Sequence, residues 1–181
     1  VLTISWEDAR RRFPEADVLS RETGHSRPYG DNPYQGYDRA QDPFLYRGPE
    51  PGGQHEAMDR VFTVKAGGEW EAYPYTQLRS RHVVHDTVGG TRIVVFWQAG
   101  TASALDARSV AGGRDVGTAN AFIPEASGKT LQFEHKNGSI VDRETGSVWE
   151  VTGTAVSGPL EGQSLEAVTG VQHFWFSWSA F

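Results

Sequence analysis

After residue 59 the chain consists of short runs of alternating apolar and polar residues separated by glycine-containing turns. This pattern is typical of antiparallel β-hairpins, because strand side chains alternate between faces and glycine accepts the positive φ angles of tight turns. Three hairpins are predicted, with strands at residues 61–65 and 69–73, 83–88 and 92–97, and 130–134 and 140–142. Their turns contain Gly67-Gly68, Gly89-Gly90 and Asn137-Gly138, and a further strand is expected at residues 147–152. The pattern therefore predicts a mainly β protein with an antiparallel sheet.

A short amphipathic helix is predicted near the start of the chain. Ser5 is a suitable N-cap, and two acidic residues follow it in the first turn. Trp6, Ala9 and Phe13 then recur at helical spacing, and the proline after Phe13 ends the pattern. Near the other end, FWFSW at residues 174–178 fits either a buried strand or the start of a helix, since so short a run does not separate the two.

Residues 20–58 follow neither a strand nor a helix period, and prolines and glycines interrupt them repeatedly. Structureless segments of this length in compact domains are usually either functional or disordered. Because five tyrosine and phenylalanine side chains lie between residues 29 and 46, we expect a long ordered loop that packs on the domain to about residue 47. Residues 48–56 are expected to be its most flexible part.

The composition fits one globular domain. A chain of 181 residues is long enough for one hydrophobic core and short for two. We expect a single domain over residues 1–181, with the helix and lead-in at 1–19, the irregular loop at 20–58 and the β-rich body at 59–181.

Charge and composition exclude several classes of partner and site. The formal net charge of -6 argues against a nucleic-acid partner, because phosphate binding needs a basic surface. No apolar run reaches the length of a membrane-spanning helix, so no membrane span is expected in the chain. Zero cysteines exclude disulfides, thiolate metal sites and cysteine nucleophiles.

Two groups of residues are candidate metal sites. His82 and His85 form the densest histidine cluster, but in a strand they point to opposite faces and do not bind one ion together. Asp31, Asn32 and Asp38 offer oxygen ligands in a glycine-containing loop, which suits calcium. The same residue types also form ordinary turns held by side-chain to backbone hydrogen bonds. Calcium is thus the one cofactor that the sequence suggests.

Aromatic residues make up 12% of the chain and provide the remaining candidate site. A shallow groove of tryptophan and tyrosine side chains would suit a sugar or a peptide. Tyr73, Trp97, Trp149 and Trp175 are the candidate ligand-binding residues. The alternative is that these large rings fill the core of a small antiparallel domain.

Motifs along nearly the whole chain resemble those of an uncharacterised prokaryotic family, domain of unknown function 3179. The longest is SRETGHSRPYGDNPY at residues 20–34. The others are AYP at 72–74, DTVGG at 86–90, VVFW at 94–97, GTA at 100–102, DRETGS at 142–147, GPL at 158–160 and FWF at 174–176. The resemblance implies an extracytoplasmic location, periplasmic or at the cell surface, because such members commonly begin with a signal or anchor segment.

The chain departs from the family pattern at two places. Many members carry a Cys-Pro-x-Cys just before the Gly-Thr, where this chain has WQAG at residues 97–100. A redox or soft-metal role suggested by those cysteines does not transfer to this chain. His85 stands where an asparagine is expected from the resemblance, which weakens a catalytic role for it.

Two functions of different classes remain. The first is a non-catalytic extracytoplasmic module that binds a protein partner or a small ligand through its aromatic and loop surface, or an accessory subunit of a membrane-associated complex. The second is a hydrolase or lyase with a polar pocket built from Asp86, Arg143 and Glu144, the charged residues inside the family motifs. Spacing alone assembles no catalytic constellation, so the first is favoured.

RETG at residues 143–146 is predicted to form a turn, with Gly146 supplying a positive φ. Arg143 would then leave the end of a strand with its planar set of donors free for a carboxylate. Asp86 is the predicted partner, because both residues lie at the ends of motif-bearing hairpins.

Overall fold

The structure of the protein is a computed structural model that describes residues 2–44 and 46–180. The helices are α1 (Trp6–Arg12), α2 (Tyr75–Arg81) and α3 (Trp175–Trp178), with 3₁₀ turns at Tyr37–Arg39 and Val110–Gly112. The strands are β1 (Arg60–Ala66), β2 (Glu69–Pro74), β3 (Val83–Val88), β4 (Thr91–Gln98), β5 (Thr118–Phe122), β6 (Glu125–Ala126), β7 (Lys129–Thr130), β8 (Phe133–Lys136), β9 (Ser139–Asp142), β10 (Val148–Trp149), β11 (Ala155–Ser157) and β12 (Ala167–Phe174). The predicted fold class, mainly β with antiparallel sheets and a short N-terminal helix, is confirmed.

The predicted N-terminal helix is α1. The Ser5 side chain accepts a hydrogen bond from the backbone N–H of Asp8 at 3.0 Å, and Phe13 follows the last helical residue as the C-cap. At the other end of the chain, residues 174–178 contain both a strand end and a helix start. Strand β12 ends at Phe174 and helix α3 begins at Trp175. Helix α2, which joins the first hairpin to the second, was not predicted.

All three predicted hairpins are present. β1 pairs with β2, β3 with β4, and β8 with β9, each in antiparallel register. The first strand of the third hairpin begins at Phe133, later than predicted. The strand predicted at residues 147–152 is limited to Val148–Trp149, because the register shifts there and the chain turns again where Gly153 N–H donates to Glu150 at 2.9 Å.

Six strands form one sheet in the order β2-β1-β12-β5-β4-β3. The sheet curls so far that its two edge strands approach each other, and the Tyr73 hydroxyl on β2 donates to Asp86 on β3 at 2.9 Å. The turns of the first two hairpins also meet, because a Cβ added at Gly67 would overlap the carbonyl oxygen of Gly89. Helix α2 lies against the inside of this curl through Leu78, which is fully buried.

A second sheet, in the order β11-β10-β9-β8, covers the opposite face of β4 and β5. Its core is largely aromatic, with the ring of Phe133 5.0 Å from that of Phe96 and 5.4 Å from that of Trp149. Residues on alternate positions of β4 therefore serve two cores, one inside the curl and one between the sheets.

Residues 31–39 pack on residues 101–115, and we call these two segments together the loop layer. Backbone N–H groups of Asn32 and Gly36 each donate across it at 2.7 Å, to Arg108 and Asp106. The segment 31–39 is thus an ordered, docked loop without regular secondary structure beyond one 3₁₀ turn, as predicted for this part of residues 20–58.

None of the described helices is long and apolar enough to cross a lipid bilayer.

Candidate functional site

A cleft of about 570 Å³ runs along the opening between the edge strands β2 and β3, and we call it the tryptophan cleft. One wall is α3, and one end is the outer face of α2. The residues that line it are Gln54, His55, Trp70, Glu71, Ala72, Tyr73, Pro74, Gln77, Arg81, Val84, His85, Asp86, Trp175 and Trp178. Of the residues predicted from the sequence, the cleft brings together Tyr73, Asp86 and Trp175.

Three tryptophans form the aromatic side of the cleft. Trp70 projects from the edge strand β2 with 43% of its surface exposed, and its ring centroid lies 5.6 Å from that of Trp178. Trp175 and Trp178 are half-buried on α3. Helix α3 is anchored to the chain before β1, because the backbone N–H of Trp175 donates to Asp59 at 2.7 Å and its indole N–H donates to Gly52 at 3.2 Å. The rings are thereby fixed at the cleft while parts of their surfaces remain accessible.

The polar side of the cleft centres on Tyr73 and Asp86. Burial and the hydrogen bond to Asp86 raise the pKa of the Tyr73 phenol well above its ordinary value. The phenol therefore stays protonated and donates a hydrogen bond to the carboxylate. Asp86 also accepts from the backbone N–H of Thr87 at 2.7 Å, yet its side chain is exposed and keeps further acceptor capacity.

The structure separates Asp86 from Arg143 and Glu144, so the predicted ion pair between Asp86 and Arg143 is wrong. Arg143 Nε donates to Glu134 at 2.9 Å, and Glu144 accepts from the backbone N–H of Gln132 at 2.8 Å. The physical reason is strand alternation. Asp86 points to the Tyr73 side of β3, whereas its neighbour His85 points to the opposite side and contacts the backbone of Phe133.

The turn itself is as predicted. The RETG segment reverses the chain between β9 and β10, and Gly146 has φ of 72°. The buried carboxylate of Asp142 organises it by accepting from the backbone N–H and hydroxyl of Thr145 at 2.6 and 2.8 Å. Asp142 therefore makes the side-chain hydrogen bonds that hold this turn, whereas the sequence predicted that Arg143 would make its main contact.

Trp97 and Trp149 lie in a second cleft, of about 510 Å³, whose lining includes His82 and His135. Both tryptophans are almost fully buried, and the Trp149 indole donates to Asp142 at 2.9 Å. These two rings therefore serve the core, which is the alternative that the sequence left open.

His82 is the C-cap residue of α2 and lies just before β3, whereas the argument about the histidine pair treated it as a strand residue. It has φ of 61°, an uncommon backbone conformation for a residue other than glycine. Its ring stacks on that of His135 with centroids 3.8 Å apart. Burial, with a smaller contribution from His135, lowers the pKa of His82. Within residues 2–44 and 46–180 no group of three or more histidine and acidic side chains is arranged to hold a metal ion.

The predicted calcium ligands have different protein partners. Asp31 forms an exposed ion pair with Arg108 at 2.9 Å, and the Asn32 side-chain oxygen accepts from the backbone N–H of Tyr34 at 2.8 Å. Asp38 is buried and accepts from Arg60 at 2.9 Å. The three side chains thus make separate contacts with other parts of the protein. The contact of Asn32 is a side-chain to backbone hydrogen bond within a turn, which is the alternative to calcium binding that the sequence left open.

Several residues of the tryptophan cleft were not predicted from the sequence. Trp70 and Trp178 were missed, although Trp175 and Trp178 are spaced as neighbours on one helix face. Arg81 and Glu71 were missed because their positions in the cleft depend on helix α2 and on the curl of the sheet. The helix and the curl leave no local pattern in the sequence.

The family model described as a protein of unknown function, DUF3179, matches residues 1–181 of the chain. The chain matches none of the curated proteins and none of the solved structures with which it was compared. The match covers the whole chain, so the protein belongs to the DUF3179 family, whose function is unknown.

Proposed function

We propose that the protein is a non-catalytic extracytoplasmic binding module and that its tryptophan cleft binds a small ligand with an apolar face and several hydroxyl groups, such as a sugar. The observation that carries this proposal is the arrangement of Trp70, Trp175 and Trp178 opposite the pair of Tyr73 and Asp86. The cleft holds about 570 Å³, which is within the range of small-molecule sites.

The chemistry of the cleft fits a sugar better than a purely apolar ligand. Partly exposed indole rings provide flat surfaces for the C–H face of a pyranose ring. Exposed polar groups on the opposite side can exchange hydrogen bonds with hydroxyl groups, since Asp86 and Glu71 accept and Gln77 donates. The hydrogen bond from the Tyr73 hydroxyl fixes the position of the Asp86 carboxylate, which is one of these acceptors.

Binding is favoured over hydrolysis or elimination because the three charged residues suggested for catalysis do not share a pocket. Within the tryptophan cleft, the Asp86 carboxylate accepts a hydrogen bond from a phenol that stays protonated. That arrangement supports recognition of hydroxyl groups without requiring proton transfer.

The test is a titration of the protein with soluble neutral oligosaccharides of hexoses and of N-acetylhexosamines, followed by intrinsic tryptophan fluorescence and by calorimetry. Trp175→Ala and Trp70→Ala are expected to weaken binding roughly tenfold or more, because aromatic anchors dominate such sites. Trp6→Ala is the matched control, since Trp6 is 61% exposed on α1, outside the cleft. The proposal is overturned if no sugar of the panel binds, or if the two cleft variants bind as well as the control.

The extracytoplasmic location and an association with a membrane complex are proposed from the family resemblance. Fractionation of cells that express the native gene is expected to recover the protein outside the cytoplasm. Recovery in the cytoplasmic fraction alone would contradict this part of the proposal and leave the ligand titration unaffected.

A further inference from the structure

A smaller cavity, of about 280 Å³, opens on the other face of α2 from the tryptophan cleft, and we call it the arginine pocket. It is lined by Met58, Asp59, Arg60, Tyr75, Thr76, Arg79, Arg114, Asp115 and Val116. On α2 the residues of the arginine pocket and those of the tryptophan cleft, Gln77 and Arg81, lie on opposite helix faces. The two cavities are therefore separate sites.

Three arginines line the arginine pocket from different elements: Arg60 from β1, Arg79 from α2 and Arg114 from the segment before β5. Arg60 and Arg114 share a single carboxylate oxygen of Asp38, at 2.9 and 3.5 Å. Within the described part of the chain Arg79 forms no ion pair, and its guanidinium carbon lies 6.0 Å from the ring centroid of Trp97. The basic groups of the pocket are thus incompletely neutralised by Asp38.

The two acidic residues of the pocket use one carboxylate oxygen each in other contacts. Asp115 accepts from the backbone N–H groups of Gly100 and Gly117, both at 2.9 Å, and of Thr101 at 3.1 Å. Asp59 accepts from the backbone N–H of Glu56 at 3.1 Å and faces His55 at 3.7 Å. Neither carboxylate forms an ion pair with an arginine of the pocket among the described residues.

Two buried donors at the pocket have no acceptor within residues 2–44 and 46–180. They are the hydroxyl of Tyr75, a residue that is 6% exposed, and the Nε–H of Arg60. The second carboxylate oxygen of Asp38, the ion-pair partner of Arg60, is likewise buried and has no hydrogen bond in this part of the chain. Burial raises the pKa of Tyr75 far above neutral pH, more than the charge of Arg60 and a hydrogen bond from the backbone N–H of Ala119 to the phenol oxygen lower it. The hydroxyl therefore carries its proton at every physiological pH. Buried donors are nearly always paired in folded proteins, so the Tyr75 hydroxyl needs an acceptor at the pocket, either an ordered water or a ligand oxygen.

We propose that the arginine pocket binds an oxyanion, the carboxylate or phosphate group of a small ligand. Arg60 Nε–H and the Tyr75 hydroxyl donate to the anion, and Arg79 supplies a planar pair of further donors from the exposed side. Arginines from more than one element are then available to the ligand group, an arrangement that suits a carboxylate or a phosphate.

The experiment is calorimetry and thermal unfolding of the whole chain in a chloride-based buffer with inorganic phosphate or with succinate as the probe. The expected result is saturable binding of one or both anions, with a rise in Tm that weakens as chloride concentration increases. Binding of phosphate alone would assign the pocket to phosphate ligands, and binding of succinate alone would assign it to carboxylates.

Two variants locate the binding. Tyr75→Phe removes the buried donor, and Arg79→Gln removes an exposed charge without disturbing the core. Each is expected to weaken binding roughly tenfold. Arg92→Gln is the matched control, because Arg92 is an exposed arginine on β4 outside the pocket. If Tyr75→Phe fails to fold, Arg79→Gln and its control decide. The proposal is overturned if neither anion binds saturably, or if Arg79→Gln binds as tightly as Arg92→Gln.

Discussion

The loop layer and the tryptophan cleft are built from the same kinds of residue but use them in opposite ways. In the loop layer the carboxylates of Asp38 and Asp106 are nearly inaccessible, and arginine side chains and a backbone N–H group bind them. In the tryptophan cleft Asp86 and Trp70 stay partly exposed. Chemical type alone therefore does not identify a site. What distinguishes the two regions is whether the carboxylates are already buried and paired with arginine side chains of the protein.

The largest effect is expected from Asp38→Asn in the loop layer. The side chain is fully buried, and its loss of charge leaves Arg60 and Arg114 without a counterion. Removing one partner of a buried ion pair costs about 3–5 kcal/mol of unfolding free energy. Urea denaturation measures this. Asp31→Asn is the matched control, because Asp31 forms an exposed pair in the same loop and should cost less than about 1 kcal/mol. Equal losses in the two variants would contradict the comparison.

A pH-dependent effect is expected from Asp106. The hydrogen bond from Arg39, followed by that from the Arg114 backbone N–H, lowers the pKa of Asp106 from 3.8 to about 2. Because the folded pKa is the lower one, the carboxylate stabilises the fold above about pH 4, and this contribution is lost as the pH falls towards 2. Urea midpoints measured across this range should fall more steeply for the native chain than for Asp106→Asn. Parallel curves would show that Asp106 does not contribute in this way.

A smaller effect on stability is expected from Trp70→Ala in the tryptophan cleft. Trp70 is 43% exposed, and its main contacts are the ring of Trp178 and the ammonium of Lys65. Loss of one partly exposed aromatic pair should cost about 1 kcal/mol of unfolding free energy. A loss as large as that of Asp38→Asn would mean that the cleft is held together as tightly as the loop layer, and would remove the distinction between them.

The smallest effect is expected from Arg143→Ala. Arg143 is 64% exposed and pairs with the half-buried Glu134, so the loss of unfolding free energy should be below about 1 kcal/mol. Because Arg143 and Asp86 bind different partners, the double variant Arg143→Ala with Asp86→Ala should show additive losses. A coupling energy between the two residues would restore the pair that the sequence suggested.

Local signals account for what the sequence predicted correctly. Asn137 and Gly138 have φ of 51° and 81°, and these positive values are what an Asn-Gly turn adopts between antiparallel strands. The N-cap at Ser5 is likewise a local contact. Strand β5 was missed for a physical reason. Every residue of β5 is buried, so it lacks the alternation that identifies a half-exposed strand.

The candidate site was only partly predictable because it depends on contacts distant in sequence. Tyr73, Asp86 and Trp175 were proposed as site residues, and they meet in one cleft only because the sheet curls. The partner of Asp86 was predicted wrongly, since a hairpin end reveals neither which strand face a side chain occupies nor what lies across it. The pairing of Arg39 with Asp106, 67 residues apart, left no signal in the sequence at all.

The contact between the turns at Gly67 and Gly89 has a consequence for how fast and how tightly a ligand could bind. The two turns touch at one end of the opening between β2 and β3, and helix α2 joins these strands at the other end. The two strands that flank the cleft are therefore held together at both ends. A receptor whose binding cleft is already in the bound geometry loses little conformational entropy on association. Its association rate is then governed by diffusion and orientation rather than by a closing motion. A side chain in place of either glycine would overlap the backbone of the other turn and separate the two turns. The rigid receptor would then become one that must close around its ligand.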